Sequence, residues 1–428
     1  MKLFQQMLVA SAAIGLIAPI GAQANDINIE GMNSYSRSKS SSKKQQFNSK
    51  TFANELATVN EKIDGLETQL NEFEAGSFSD TTTFDGKVNF TVGALSYDGT
   101  GTDTVSNEAT LFQYMWQGNL NTSFTGDDNL YVRLKTGNAS SWTKDKDHGT
   151  YLSSAKGNSN AIKVDKIWYS FPVGESNTVF VGPLIENYYM HGTTPSIYKP
   201  TLKAFTLGGN GAAYGASTDT GAGWAYKSDN GFAISSNVGT KSKSTQKNAD
   251  GDYIESGLLT NESKTSWATQ VGLTKEQYAV SAMVNLKYNG WSDSYFTAGS
   301  AQTGNTTNYG LRAWWRPAET GTATPEVTLG YDYTTIADAA DTVDSTDAYF
   351  VGLSWLDTFN ADDRIGIAFG QPQTREDNTA DPFMWEAYYS FKVNDSVTVT
   401  PTIFAASDAN GSAGEDYTGA VIETQFKF

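Results

Sequence analysis

The chain has 428 residues, no cysteine and a formal net charge of −17 at pH 7. So acidic a chain is unsuited to binding nucleic acid, and the lack of cysteine excludes disulfides and thiolate metal sites. The mean hydropathy is −0.42. Beyond residue 24 no stretch of about 18 apolar residues predicts a transmembrane helix. Membrane-spanning β-strands fit this hydropathy, because only alternate residues of such strands need be apolar.

Residues 1–24 have the features of a secretory signal peptide. Lys2 supplies a positive charge, residues 7–20 are apolar, and Ala22-Gln23-Ala24 fits the cleavage pattern, so we expect a mature start at Asn25. Residues 25–50 are polar and rich in Ser and Lys, which predicts a disordered linker. Its basic side chains could make weak contacts with an anionic cell-wall polymer, but a solvated linker is the favoured interpretation.

Residues 51–77 are predicted to form a coiled-coil helix. Their apolar side chains are spaced alternately four and three residues apart, as in a heptad seam: Phe52, Leu56, Val59, Ile63, Leu66, Leu70 and Phe73. An isolated helix of this length is marginally stable in water and therefore needs a partner. The partner is either sister chains or the chain's own barrel, and we favour a parallel, trimeric bundle.

From residue 84 to residue 428, apolar and polar residues alternate with a period of two. In residues 308–317, for example, Leu311 and Trp315 share one face, and Arg312 and Arg316 share the other. Seven short turns and two chain ends on one side imply sixteen strands. We place these turns at residues 127–129, 174–177, 228–231, 274–276, 318–324, 359–363 and 394–395. The pattern predicts an all-β transmembrane fold, a 16-stranded antiparallel outer-membrane β-barrel with short periplasmic turns.

Two features favour a membrane barrel over a soluble β-sandwich. Aromatic residues cluster near the ends of the apolar faces, as in interfacial girdles. The opposite face is polar or charged on strand after strand, as expected of a water-filled lumen. The C-terminal segment also alternates, and we expect Phe426 and Phe428 to belong to a last strand that closes the barrel against the first. The same aromatic end is expected to act as the assembly signal.

Successive residues of a strand face opposite sides of the sheet, and we call this alternation strand parity. It assigns several charged side chains to the lumen, where they would line the pore: Arg133, Lys135, Lys287, Arg312, Arg316, Asp332, Arg364 and Glu386. If the alternation in a strand were shifted by one residue, its assigned side chains would face the lipid instead of the lumen. Arg312 and Arg316 are the safest, because the opposite parity would place two guanidinium groups in lipid. For every one of these residues, simple solvation in the lumen is the alternative to a selective role.

A long segment, residues 187–211, is predicted to fold into the lumen as a constriction loop. The residues expected to narrow the pore are Tyr188, Tyr189, His191, Tyr198, Lys199 and Phe205. Aromatic faces can stack on sugar rings, but packing of these rings against the barrel wall is the favoured interpretation.

Catalysis, a cofactor and a bound metal are not predicted. The two histidines, His148 and His191, lie in predicted loops without a ligand spacing. One loop is rich in aspartate but lacks the glycine turn of an EF-hand. We favour a solvated acidic loop, or cation bridging to lipopolysaccharide, over a calcium site for Asp338, Asp341, Asp344 and Asp347.

Three segments resemble the carbohydrate-selective porin (OprB-type) family: residues 73–94, residues 168–185 and the C-terminal QFKF. The resemblance spans residues 52–428 and is greatest to the cyanobacterial branch, in which a coiled coil precedes the barrel. It implies an outer-membrane diffusion channel, commonly trimeric. Larger cyanobacterial members also carry an S-layer-homology domain before the coiled coil, and residues 25–50 are too few to form one.

The sequence therefore predicts an outer-membrane porin for passive diffusion of small hydrophilic solutes, either carbohydrates or inorganic ions, with its coiled coil in the periplasm. Two alternatives stay open. One is a purely ion-selective pore. The other is a structural envelope tether with a narrow or plugged barrel, in which the coiled coil and the basic linker do the work.

Overall fold

The computed structural model describes residues 77–79, 81–98, 109–146, 148–209, 212–214, 219–241, 252–253, 257–258, 260, 262–289, 291, 305–337 and 343–428. The predicted signal peptide, linker and coiled-coil seam lie outside these residues. A short strand, β1 (Ser77–Ser79), precedes the main unit. Among the described residues, no helix has both the length and the apolar character needed to cross a membrane.

Residues 81–428 form a closed antiparallel β-barrel of sixteen strands, as the alternating pattern predicts. Each strand pairs with the strands before and after it in sequence, and the last pairs with the first. The strands are β2 (Thr82–Asp98), β3 (Leu111–Thr122), β4 (Asn129–Gly137), β5 (Lys163–Val173), β6 (Asn177–Leu184), β7 (Thr220–Lys227), β8 (Phe232–Thr240), β9 (Thr265–Thr274), β10 (Tyr278–Tyr288), β11 (Thr306–Trp315), β12 (Glu326–Ile336), β13 (Ser345–Leu356), β14 (Arg364–Arg375), β15 (Phe383–Asn394), β16 (Val397–Ser407) and β17 (Asp416–Lys427).

The two faces of the barrel wall differ as parity predicts. In β11, Leu311 is 56 % exposed on the outer face, whereas its neighbour Arg312 is 3 % exposed on the inner face. The outer face also carries Phe112, Leu329 and Tyr331, all exposed. Since apolar side chains are stable in contact with acyl chains, this outer surface suits lipid rather than water.

Pairing of β17 with β2 closes the barrel. Phe426 lies opposite Val88 in the ladder. Past the end of β17, the backbone of Phe428 exchanges hydrogen bonds with Gly86, at N–O distances of 2.9 and 3.2 Å. The rings of Phe426 and Phe90 pack with centroids 5.3 Å apart on the outer face. The predicted pairing of the last strand with the first is therefore confirmed.

Two long connections fold into the barrel. We call residues 138–162, between β4 and β5, the first inner loop, and residues 185–219, between β6 and β7, the second inner loop. They contain 3-10 helical turns at Ser141–Lys144, Asn187–Met190 and Lys203–Phe205, and a fourth such turn, Ala409–Gly411, lies between β16 and β17. Side chains from both inner loops, including Trp142 and Leu202, join wall residues such as Phe404 in one apolar cluster. The main hydrophobic core therefore lies inside the barrel.

Candidate functional site

The second inner loop follows the inner wall from β8 to β16. At β8, the hydroxyl of Ser235 lies 3.1 Å from Nδ1 of His191. At β9, the side-chain amide of Gln270 accepts a hydrogen bond from Thr193 N and donates one to Thr193 O, both at 2.9 Å. Polar inward side chains of the wall thus satisfy the backbone groups of a non-repetitive segment, which would otherwise be buried without partners.

Charged side chains hold the middle of the second inner loop. Arg312 donates from Nε to the carbonyl of Leu207 at 2.8 Å and forms a 2.6 Å ion pair with Asp332. Lys287 donates from Nζ to the carbonyl of Ala212 at 2.7 Å. Charge-assisted hydrogen bonds of this kind are stronger than neutral ones. They fix the loop against β10, β11 and β12.

A single carboxylate on β15 anchors the far side of the second inner loop. Glu386 is 0 % exposed and accepts hydrogen bonds from the Tyr198 hydroxyl at 2.9 Å, from Thr201 N at 3.2 Å and from Leu202 N at 2.7 Å. Next to it, the hydroxyls of Thr201 and Thr402 lie 2.8 Å apart. The loop is thereby tied to β15 and β16 as well.

Four of the side chains that parity assigns to the lumen contribute to this anchoring. Lys287, Arg312, Asp332 and Glu386 all face inward, and all are buried beneath the second inner loop. Parity identifies the face of the wall on which a residue lies, but it does not identify what covers that face. A pore-lining role for these four stays a prediction, and their contacts point first to positioning of the loop.

The remaining predicted lumen residues occupy three places. Arg316 lies past the end of β11, is exposed, and donates from Nε to the carbonyl of Glu276 at 2.8 Å. Arg364 pairs with Glu326 at 3.0 Å on the inner face of β14 and β12. Arg133 and Lys135 belong to a third group, on β4.

This third group surrounds Arg133. Its Nη2 lies 2.6 Å from Asp165 of β5 and 2.6 Å from Glu186 of the second inner loop. Lys156 of the first inner loop is 2.7 Å from Asp165. Lys166 lies opposite Arg133 in the β4–β5 ladder. The register shifts between Arg133 and Leu134, so β5 contributes both Asp165 and Lys166 to the same part of the lumen.

An aromatic patch adjoins the Arg133 group. The ring of Trp168 lies 4.5 Å from that of Tyr131 and 5.5 Å from that of Tyr189, measured between centroids. Tyr188 and Tyr189 stack at 5.0 Å. Tyr189 is 49 % exposed, and its hydroxyl lies 3.5 Å from Nη1 of Arg133. Ring faces and hydrogen-bonding groups are thus combined at one place in the lumen.

The other predicted constriction residues divide by exposure. Tyr198 and Phe205 are buried in the apolar cluster, as the wall-packing interpretation expects, whereas Lys199 is exposed. Desolvation lowers the pKa of His191 to about 4, so the imidazole is neutral at physiological pH and serves as a hydrogen-bonding group beside Ser235.

Sequence reasoning missed the first inner loop. Trp142 is 1 % exposed against Phe404, and Ser154 forms a hydrogen bond with Glu423 of β17. The signal was the pair of large apolar side chains, Trp142 and Leu152, in an otherwise polar outer loop. Reasoning from strand parity also passed over Asp165 and Lys166, because the register shift in β5 interrupts the alternation there.

The described part of the chain holds no cluster of three or more His, Cys, Asp or Glu side chains able to bind a metal ion. In the predicted acidic loop, Asp338 and Asp341 lie outside the described residues. Asp344 N donates to Glu376 at 3.2 Å, and Asp347 pairs opposite Tyr333 between β12 and β13.

Known porins have the same fold. The structure of Pseudomonas putida OprB at high pH aligns with a TM-score of 0.57 and 14 % identity, over 81 % of this chain and 94 % of that one. An anion-selective porin from Comamonas acidovorans gives 0.53 and 13 %, over 81 % and 99 %. The trimer form of OmpT from Vibrio cholerae gives 0.51 and 12 %, over the same shares.

Sequence similarity agrees with this fold. An uncharacterized protein of Nostoc sp. (strain PCC 7120) is 26 % identical over 422 residues, which are 88 % of this chain and 70 % of that protein. The profile of the carbohydrate-selective porin, OprB family matches residues 38–428. The porin fold and the family match together show that this chain is an outer-membrane diffusion channel. The chain belongs to the carbohydrate-selective porin, OprB family.

Proposed function

We propose that solutes cross the barrel along the inner faces of β2–β6, between these strands and the two inner loops. The observation that carries this proposal is the course of the second inner loop, which covers the inner wall from β8 to β16. Inward side chains on the other side of the barrel, including Gln117, Asn119 and Lys135, remain partly exposed. The mechanism is sieving by pore radius, biased by the charges that face the path.

The side chains beside this path suit carbohydrates. Tyr189 presents an exposed ring beside Trp168, and aromatic faces pack against the apolar faces of sugar rings. Arg133 and Asp165 supply hydrogen-bonding groups at the edge of the same patch. The family match supports a carbohydrate as one permeating solute. No energy source, reaction or cofactor is needed for this function.

Assembly as a trimer is part of the proposal. The trimer form of a porin with the same fold supports it, and so does the heptad spacing of residues 51–77. In this arrangement the signal peptide occupies residues 1–24, the linker residues 25–50 and the barrel residues 84–428. The coiled coil then projects into the periplasm, where the linker is near the cell wall.

Single-channel recording of the mature chain in a planar bilayer tests the proposal. We expect ohmic current steps that added glucose or maltose reduces in a concentration-dependent way. Tyr189→Ala should weaken the reduction, whereas Tyr309→Ala, which removes a ring from the lipid face of β11, should leave it unchanged. Current without any effect of sugar would leave an ion-selective pore, and absence of current would favour the envelope tether.

A further inference from the structure

The charge of the lumen near Arg133 is opposite in sign to that of the whole chain. Four cationic side chains meet there: Arg133, Lys135, Lys156 and Lys166. Two carboxylates face them, Asp165 and Glu186. A cavity lined by one sign of charge and walled by protein concentrates ions of the other sign.

The two carboxylates are already engaged. Asp165 pairs with Arg133 at 2.6 Å and with Lys156 at 2.7 Å, and Glu186 pairs with Arg133 at 2.6 Å. Within the described residues, neither Lys135 nor Lys166 forms a salt bridge or donates a side-chain hydrogen bond. The ammonium groups of Lys135 and Lys166 are therefore left without a direct ion pair, although Asp165 lies near both and Glu186 lies near Lys166.

Burial of Lys166 makes this excess of positive charge energetically unfavourable. The residue is 6 % exposed, and across the β4–β5 ladder it lies opposite another cation, Arg133. A buried charge without a partner is strongly unfavourable, because it loses water and gains nothing in exchange. A bound anion would offset this loss, because it gives the ammonium group a neighbour of opposite charge.

We propose that Lys135, Lys166 and Arg133 form a binding site for a phosphate group in the channel, and that the channel conducts anions in preference to cations. The inference rests on the proposed path along β2–β6. Phosphate oxygens accept hydrogen bonds from ammonium and guanidinium groups at short distance. The aromatic patch around Tyr189 and Trp168 adjoins the site, so the phosphate is carried either as the inorganic ion or on a phosphorylated sugar.

The test is a reversal-potential measurement under a KCl gradient, followed by addition of inorganic phosphate at constant ionic strength. We expect the wild-type channel to prefer chloride over potassium and its chloride current to fall as phosphate is added. In the double variant Lys135→Gln/Lys166→Gln, the permeability ratio should fall about fivefold, as expected for loss of two charges within about 8 Å of the ion path. Lys275→Gln, at an exposed turn between β9 and β10, is the matched control and should match the wild type.

The effects of inorganic phosphate, glucose and glucose 6-phosphate on the current are then compared. They show whether the channel binds phosphate as the inorganic ion or on a sugar. Reduction of the current by inorganic phosphate, or by glucose 6-phosphate much more than by glucose, supports the site. Equal effects of the two sugars together with no effect of inorganic phosphate, or a wild-type channel that conducts potassium as readily as chloride, would overturn it while leaving the diffusion channel intact. A chain that gives no current would overturn the diffusion channel itself.

A second variant keeps the test decisive if the double variant does not fold. Lys166→Met removes the unpaired charge and keeps the aliphatic stem, so it should raise the midpoint of thermal unfolding and weaken the effect of phosphate. Midpoints equal to the wild type together with an unchanged phosphate effect would contradict a charged, unpartnered Lys166 at the ion path.

Discussion

Replacement of Glu386 should release the second inner loop from the barrel wall. Its carboxylate accepts three hydrogen bonds, from the Tyr198 hydroxyl, Thr201 N and Leu202 N, and it is 0 % exposed. In Glu386→Ala, two backbone N–H groups stay buried without an acceptor. Each costs about 1–3 kcal/mol, and loss of the hydroxyl bond adds about 1 kcal/mol, so the anchored state should lose about 3–7 kcal/mol.

Glu386→Gln provides a graded comparison. The amide oxygen still accepts from Tyr198 and Thr201, but the amide nitrogen faces Leu202 N, so two donors oppose each other. We expect Gln to cost less than Ala. Because other anchors such as Arg312 and Lys287 remain, we expect the second inner loop to move only near Glu386. The barrel should stay closed, because its closure depends on the pairing of β17 with β2.

Single-channel recording and heat-dependent mobility on gels provide the assay. Glu386→Ala should give larger and noisier current steps than the wild type, with Gln between them, while the barrel unfolds at a temperature near that of the wild type. If Glu386→Ala gave steps of wild-type size and noise, the carboxylate would not hold the loop, and the anchoring argument would be refuted.

Three further predictions concern the wall, the closing strand and a turn. Gly330→Val should displace the second inner loop and increase conductance, because a side chain there meets the Gly208 carbonyl; unchanged conductance would argue against close contact. Phe428→Ala removes a ring 5.9 Å from that of Phe84 and should lower heat stability by about 1 kcal/mol and slow assembly in the outer membrane. Burial opposes ionisation of Asp363, but hydrogen bonds from Asn360, Phe359 and Tyr389 leave its pKa below the usual value. The stabilisation is present above the unfolded pKa of about 3.9 and is lost as pH falls through the lower folded pKa. Asp363→Asn should therefore lower the unfolding temperature at pH 7 and match the wild type in strong acid, whereas an equal deficit at both would contradict this assignment.

Strand number, strand facing and the short turns could be predicted from the sequence because each is a local property. A period of two determines the face on which Leu311 or Arg312 lies, and polar turn residues interrupt the period. All seven predicted turns coincide with the short connections of the barrel. These features require no knowledge of which distant residues meet.

The candidate site could not be predicted in the same way, because it depends on contacts between distant segments. Glu386 meets Leu202 across 184 residues, and Arg133 meets Glu186 across 53. Such contacts decide whether an inward-facing charged side chain lines the water-filled lumen or holds a loop against the wall. The irregular register at Asp165 also broke the alternation on which the facing of β5 depends.

Closure of the barrel has a consequence for how the chain folds. Gln425 of β17 donates a hydrogen bond to Asn89 of β2 across 336 residues of sequence, whereas neighbouring strands are joined by connections as short as a few residues. Bringing ends so far apart together costs about 3 kcal/mol more in loop-closure entropy than forming a hairpin of about ten residues. We therefore expect closure to come last and folding to be slow. Until then β2 and β17 are two unpaired strand edges, and this open sheet is the species most prone to pair with another chain and aggregate.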